Sequence, residues 1–147
     1  MVADGSAVRG DGWRGASADG RWRLLAPAPR GPLSPGESPT FSVVIAAWQA
    51  ASVVGDAVRS ALAQTRPALE VIVCDDGSTD DLAGALAPFG DGIRLLSLRH
   101  AGEAATKNAG AQTARGDFVV YLDADDVFDP ERLEAMSALA VARSDVD

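Results

Sequence analysis

The sequence predicts an α/β fold, a mostly parallel sheet covered by helices on both faces. Three observations carry this. Short apolar runs rich in β-branched residues alternate four times with stretches of helical period. The intervals between the runs suit the crossover connections that parallel strands require. Polar and aromatic residues gather just after each run, at the edge where open parallel sheets take their ligands.

The elements follow in order. Phe41–Ala47 (FSVVIAA) is the kind of run that makes a strand buried on both faces. Val53, Val54, Ala57, Val58, Ala61 and Leu62 recur at helical spacing, and that helix ends near Gln64-Thr65, before Pro67. Leu69–Cys74 is the second strand. Ser78-Thr-Asp-Asp81 offers caps for a helix over Leu82–Ala87. Ile93–Leu98 reads as the third strand, Glu103–Ala114 as the third helix and Asp117–Leu122 as the fourth strand. Asp129-Pro130 opens a last helix, with Asp as cap and Pro at the first helical position.

Two regions divide the chain. Residues 1–40 read as a flexible tail rich in Gly, Pro and Arg, with five prolines between Pro27 and Pro39. Its two short echoes, around Trp13 and Trp22, read as sticky aromatics in that extension rather than a docking motif. Residues 41–147 form the body. The tail holds five Arg against four acids, whereas the body holds eight Lys and Arg against seventeen acids. A body this acidic is a poor partner for nucleic acid, since phosphate contacts need Lys and Arg. It accepts phosphates where a divalent cation stands between the two sets of negative charge. No apolar run approaches the ~18–20 residues that span a bilayer. Cys74 is the single cysteine, so no internal disulfide forms; the expectation is a reducing compartment, in the cytoplasm or at the inner face of the membrane.

Asp123-Ala-Asp125-Asp126 is the sharpest feature. Three carboxylates within four residues repel one another, and a hard divalent cation such as Mn²⁺ or Mg²⁺ relieves that conflict with oxygen ligands. The bland alternative is an acidic turn capping the following helix. A second acidic pair, Asp75-Asp76, stands after the second strand and favours the functional reading. A carboxylate there accepts hydrogen bonds from a base N–H or a ribose hydroxyl, and Gly77 permits the tight turn. Asp80 and Asp81 read as caps. Trp48 either stacks on a nucleobase or fills a gap in the core. Lys107 either meets a phosphate or is solvated on its helix. Cys74 reads as a buried, inert thiol, and His100 has no Ser or Cys partner for nucleophilic catalysis.

From Phe41 to about Arg143 the chain resembles the family 2 glycosyltransferases, inverting enzymes with the GT-A fold, a Rossmann-like sheet. Four motifs carry the resemblance in order: Ser42-VVIAAWQ49; Gln64-Thr65 with Glu70-VIVCDDGSTD80; Gly102-EAATKNAG110; and Gly116-DFVVYLDADD126. The resemblance implies that Ala46 and Trp48 border the nucleotide, that Asp76 contacts uracil beside Asp75, and that Lys107 lies near the phosphates. It implies that Asp123 and Asp125 contact the ribose and hold the metal-diphosphate, with Asp125 as the direct ligand. Ala46, Trp48, Gln49 and Lys107 replace the family's usual Pro, Tyr, Asn and Arg, which leaves the donor's identity open.

The function implied is transfer of a sugar from a nucleotide-diphosphate sugar, a UDP-sugar first, to a saccharide, lipid or other hydroxyl acceptor. A complete fold takes roughly 200 or more residues. This chain is therefore expected to lack the acceptor half and the general base, and to be inactive alone. A non-catalytic nucleotide-sugar-binding module is the alternative. A phospho-receiver domain fits less well, since it needs its acid pair after the first strand, where Trp48-Gln49 stands.

Overall fold

Strand β1 (Phe41–Ala47) is the spine of the sheet because every residue along it has somewhere apolar or hydrogen-bonded to go. The computed structural model describes residues 36–142. In it β1 pairs in parallel with β2 (Glu70–Asp75) on one side and β4 (Phe118–Asp123) on the other, and β3 (Arg94–Ser97) adds beyond β2. The order is β3-β2-β1-β4. A flavodoxin-like receiver would run 2-1-3 instead, so the topology sets that alternative aside.

The alternation of a strand splits the core in two. Phe41, Val43, Ile45 and Ala47 face one side with Val71, Val73, Val120 and Leu122. That side is covered by α1 (Val54–Leu62), α2 (Leu82–Leu86) and α4 (Arg132–Ala142), through Val54, Val58, Leu82, Leu86 and Leu133. Val44, Ile72 and Cys74 face the other side, under α3 (Glu103–Thr113). Helices thus cover both faces, as the sequence predicts. Each fully buried Val, Ile or Leu contributes about 1.5–3 kcal/mol, which makes these two layers the main source of stability.

Small residues let α3 approach closely. A Cβ on Gly110 would overlap Val44 Cγ1 and lie 2.8 Å from Cys74 Sγ, so the helix seats on the sheet only with glycine there. Cys74 is fully buried beneath it, and burial pushes its thiol up to about 11. The inert reading of that cysteine agrees with this. At the opposite end of the sheet from the strand carboxyl ends, buried Ser42 donates to Glu70 Oε1 and accepts from Gly116 N–H, while Arg115 grips the same Glu70.

Several boundaries move, for physical reasons. The second strand begins at Glu70 rather than Leu69, whose side chain is half exposed, and runs on to Asp75, whose carbonyl accepts from Leu98 N–H. The first helix starts at Val54, so Val53 falls in the preceding turn and is exposed, as is Leu62. The second helix ends at Leu86, one residue before the expected Ala87, and the chain then winds through a 3₁₀ segment (Ala87–Gly92). The last helix begins at Arg132, not Pro130: the Pro130 carbonyl is taken by Thr65 N–H, and Asp129 Oδ1 accepts from Glu131 N–H. Pro39 is buried and Thr40 is bonded to Asp117, so anchored chain begins two residues before the expected Phe41 boundary. The tail reading for residues 1–35 lies outside the described residues. Among those described, no helix is long and apolar enough to cross a membrane.

Candidate functional site

The loops after β1 and β2 are stitched together by Gln49. Its backbone adopts a φ of +52°, a left-handed conformation that costs a non-glycine residue about 1–2 kcal/mol. Four hydrogen bonds hold it there. Gln49 N–H donates to Ser78 Oγ at 3.0 Å and Nε2 to Thr79 Oγ1 at 2.8 Å, while Oε1 accepts from the N–H groups of Thr79 and Asp80. Asp80 in turn accepts from Ala51 N–H, so it ties down the approach to α1 rather than capping its own helix. Asp81 does cap α2, accepting from Gly84 N–H at 3.0 Å.

The acidic pair after β2 divides its labour. Asp75 turns back on its own loop, where Oδ1 accepts from Ser78 N–H at 2.8 Å. Asp76 points inward with a side chain only 4% exposed. Its Oδ1 accepts from Ala101 N–H at 2.8 Å and its Oδ2 from Gly102 N–H at 3.0 Å, so it holds the loop between β3 and α3. Burial, the largest single influence, pushes the Asp76 carboxyl up. The Ala101 N–H, Thr106, the Gly102 N–H and, when its ring is protonated, the charge of His100 together outweigh it and hold the group below the ordinary aspartate value. Gly77 completes the joint. At φ +71° a Cβ there would stand 2.9 Å from His100 N, so only glycine lets the two loops meet.

That joint presents His100. Its ring lies flat against Trp48, with centroids 5.1 Å apart and planes 27° apart, and its Nδ1 lies 3.0 Å from Asp76 Oδ2. Trp48 is 57% exposed, so it does not fill the core.

The fourth strand ends in the acidic turn. Asp123 accepts from Lys107 Nζ at 2.7 Å, and Lys107 also reaches Glu103 one helical turn back. Those two carboxylates, Asp123 first, hold the Lys107 ammonium above the ordinary lysine value. Further on, buried Gln64 clamps the start of α4: Nε2 donates to the Asp129 carbonyl at 2.8 Å and Oε1 accepts from Leu133 N–H at 3.0 Å. The Gln64-Thr65 motif is thereby a structural brace for the far side of the acidic turn.

These strand ends enclose an open cleft of about 540 Å³. Ala46, Trp48, Asp76, Asp123 and Asp125 all line it; Asp75 and Lys107 do not, the first turned to Ser78 and the second behind Asp123. Among the residues that sequence reasoning assigned no site role, His100, Gln49, Glu103 and Thr106 line it too. Gly77 was the available signal for His100, since a glycine required after Asp76 marks the close approach of another loop.

The donor set suits a hard divalent cation. Asp125 is exposed at the cleft and accepts no hydrogen bond among the described residues, which leaves both of its oxygens available. Asp123 is 52% exposed and gives one oxygen to Lys107. No group of three His, Cys, Asp or Glu side chains converges among the described residues. Any cation there draws its remaining ligands from water and a bound phosphate.

Residues 42–146 match the family described as "Glycosyl transferase family 2". The chain is 39% identical over 100 residues to "Succinoglycan biosynthesis protein ExoO" of Rhizobium meliloti (strain 1021), covering 67% of this chain and 29% of that protein. Among solved structures it resembles S. aureus TarS 1-349 in complex with UDP-GlcNAc, with a TM-score of 0.61 and 26% identity over 67% of this chain and 30% of that one. It is similar to the mannosyltransferase PcManGT from Pyrobaculum calidifontis in complex with GDP-Man and Mn²⁺, with a TM-score of 0.59 and 26% identity over 71% of this chain and 32% of that one. The chain spans a third or less of the length of the curated relatives it matches.

Proposed function

The chain belongs to glycosyl transferase family 2 and has the GT-A fold, and from that premise we propose that its cleft binds the nucleotide-diphosphate part of a sugar donor. The observation that carries this is the convergence of four strand ends: an exposed indole, Trp48, and the Asp123-Ala-Asp125 turn line one cleft. Neighbours crystallised with UDP-GlcNAc and with GDP-Man and Mn²⁺ support it.

In this reading Trp48 and Ala46 border the base, and Asp76 secures the base side of the cleft. Asp123 and Asp125 hold Mn²⁺ or Mg²⁺ together with the diphosphate. When bound, the cation supplies Lewis-acid stabilisation of the charge that develops on the leaving diphosphate. The reaction proposed is one displacement with inversion. An acceptor hydroxyl, belonging to a saccharide, a lipid or another alcohol, gives its proton to a carboxylate base and forms a bond to the anomeric carbon. The bond from that carbon to the diphosphate breaks, and its electron pair leaves with the phosphate oxygen. Every carboxylate lining the cleft already serves the donor side or an ion pair, so we place the base outside the described residues. A lone, inert cysteine fits the cytoplasmic side of the membrane.

Calorimetry on the intact protein with UDP and GDP, in Mn²⁺ and then in EDTA, tests the reading. Affinity for one nucleotide is expected to need the cation and to fall at least ~10-fold, about 1.4 kcal/mol, in Asp125→Ala. Equal affinity with and without cation removes the metal role, and no affinity for either nucleotide removes the donor reading.

A further inference from the structure

We infer that His100 reads the edge of the donor's nucleobase and that Asp76 is the residue that positions it, an inference that rests on the nucleotide-sugar reading above. The chemistry recognised is a ring N–H beside a carbonyl, which uracil and guanine share and which cytosine and adenine lack.

Asp76 is poorly placed to read a base itself. It is buried, and its two oxygens already take the N–H groups of Ala101 and Gly102 and the His100 ring. What it does instead is orient an imidazole. Both oxygens facing His100 Nδ1, the Asp76 carbonyl at 3.1 Å and the Asp76 carboxylate at 3.0 Å, only accept hydrogen bonds. Nδ1 therefore carries the proton. In the neutral ring that leaves Nε2 with a lone pair. No partner meets it among the described residues, and the side chain is 58% exposed at the cleft.

In this inference Trp48 brings the base to that lone pair. The imidazole rests flat on Trp48, whose bicyclic indole is wider than the ring it carries and stays more than half exposed. A nucleobase laid on the same indole face lies side by side with the imidazole, edge to edge, and its ring N–H meets Nε2. Three features hold the imidazole in that pose: the close seat of the His100 backbone on Gly77, the hydrogen bonds to Asp76 and the Trp48 face. Cytosine or adenine turns a ring-nitrogen lone pair toward Nε2 instead, and two lone pairs repel.

The test compares dissociation constants for UDP against CDP, and for GDP against ADP, on the intact protein with Mn²⁺. The variants are His100→Phe, which keeps a flat ring on Trp48 without its nitrogens, and Asp76→Asn. Wild type is expected to favour the nucleotide bearing the ring N–H by about 10-fold, the value of one net hydrogen bond. The pair that shows the preference identifies uracil or guanine as its source. In His100→Phe the ratio is expected to fall below about twofold, with the cation requirement intact. In Asp76→Asn it also narrows, whereas a purely structural Asp76 would weaken both nucleotides equally. A full ratio in His100→Phe, or none in wild type, overturns the inference while leaving the donor reading standing. No wild-type affinity for any of the four removes both.

Discussion

Lys107 Nζ lies 2.7 Å from Asp123 Oδ1 and also pairs with Glu103, so one ammonium joins α3 to the acidic turn. It supplies a positive charge beside Asp123, where Asp125 and Asp126 follow. The pair is too exposed to matter much for folding, and Lys107→Gln is expected to cost well under about 1 kcal/mol of stability. Its effect on ligands has two signs. Removing a cation beside Asp123 strengthens Mn²⁺ binding alone and weakens UDP or GDP binding, each by several-fold. Titration of free Mn²⁺ by electron paramagnetic resonance, alongside calorimetry with nucleotide, separates the two. A change of the same sign in both refutes this account.

Asp76 predicts a pH signature. Its folded carboxyl is held below the ordinary aspartate value, so on acidification the unfolded chain takes up that proton first. The stabilisation is complete above about pH 4 and drains away as the pH falls toward the lowered folded value. Asp76→Asn leaves a buried N–H facing an amide and is expected to lose about 2–3 kcal/mol at neutral pH. Urea unfolding from pH 3 to pH 7 checks both: the gap between wild type and variant should shrink at the acid end.

Gly110→Ala sets two effects against each other. Alanine favours the helix by about 1 kcal/mol. The added methyl meets fully buried Val44 and Cys74, neither free to move, and overpacking of that kind costs about 1–3 kcal/mol. Overpacking is expected to win, so the melting temperature should fall by several degrees. A rise would mean that α3 is seated more loosely than the contact implies.

Because we propose that the base lies outside the described residues, residues 36–142 are expected to bind donor and not to transfer sugar. Proton removal by that base is alone worth about 10²–10⁴-fold. Acceptor-dependent turnover of a UDP- or GDP-sugar by this chain, at the rate of the intact protein, would place the base among these residues.

The sequence made the parallel sheet and its chemistry-bearing edge legible because continuous β-branched apolar runs and crossover spacing are local signals. Strand order was not legible, since nothing local says that β4 returns to pair with β1. Trp48 was ambiguous because an indole suits a core as well as a cleft, and only its exposure decides. Asp75 and Asp76 look alike in one dimension; a half-turn of backbone sends one to Ser78 and the other to Ala101 and Gly102. His100 was set aside for want of a Ser or Cys partner, but its partners are a buried carboxylate and an indole. The contacts of Asp76 with Ala101 and Gly102, and of His100 with Asp76 and Trp48, each span more than 20 residues, which is why they escaped a local reading.

The β3-β2-β1-β4 order has a consequence for a chain emerging from the ribosome. β1 meets β2 across 28 residues but meets β4 only across 77, and closing the longer loop costs about 0.9 kcal/mol more. The first three strands, with Trp48, Asp76 and His100, are available to associate while β4 is still inside the exit tunnel. The half of the cleft that meets the base is then born first, and the half that carries Asp123 and Asp125 is added to it. Synthesis paused once His100 has left the tunnel but β4 has not should therefore yield a nascent chain with the indole-imidazole pair formed and no affinity for manganese.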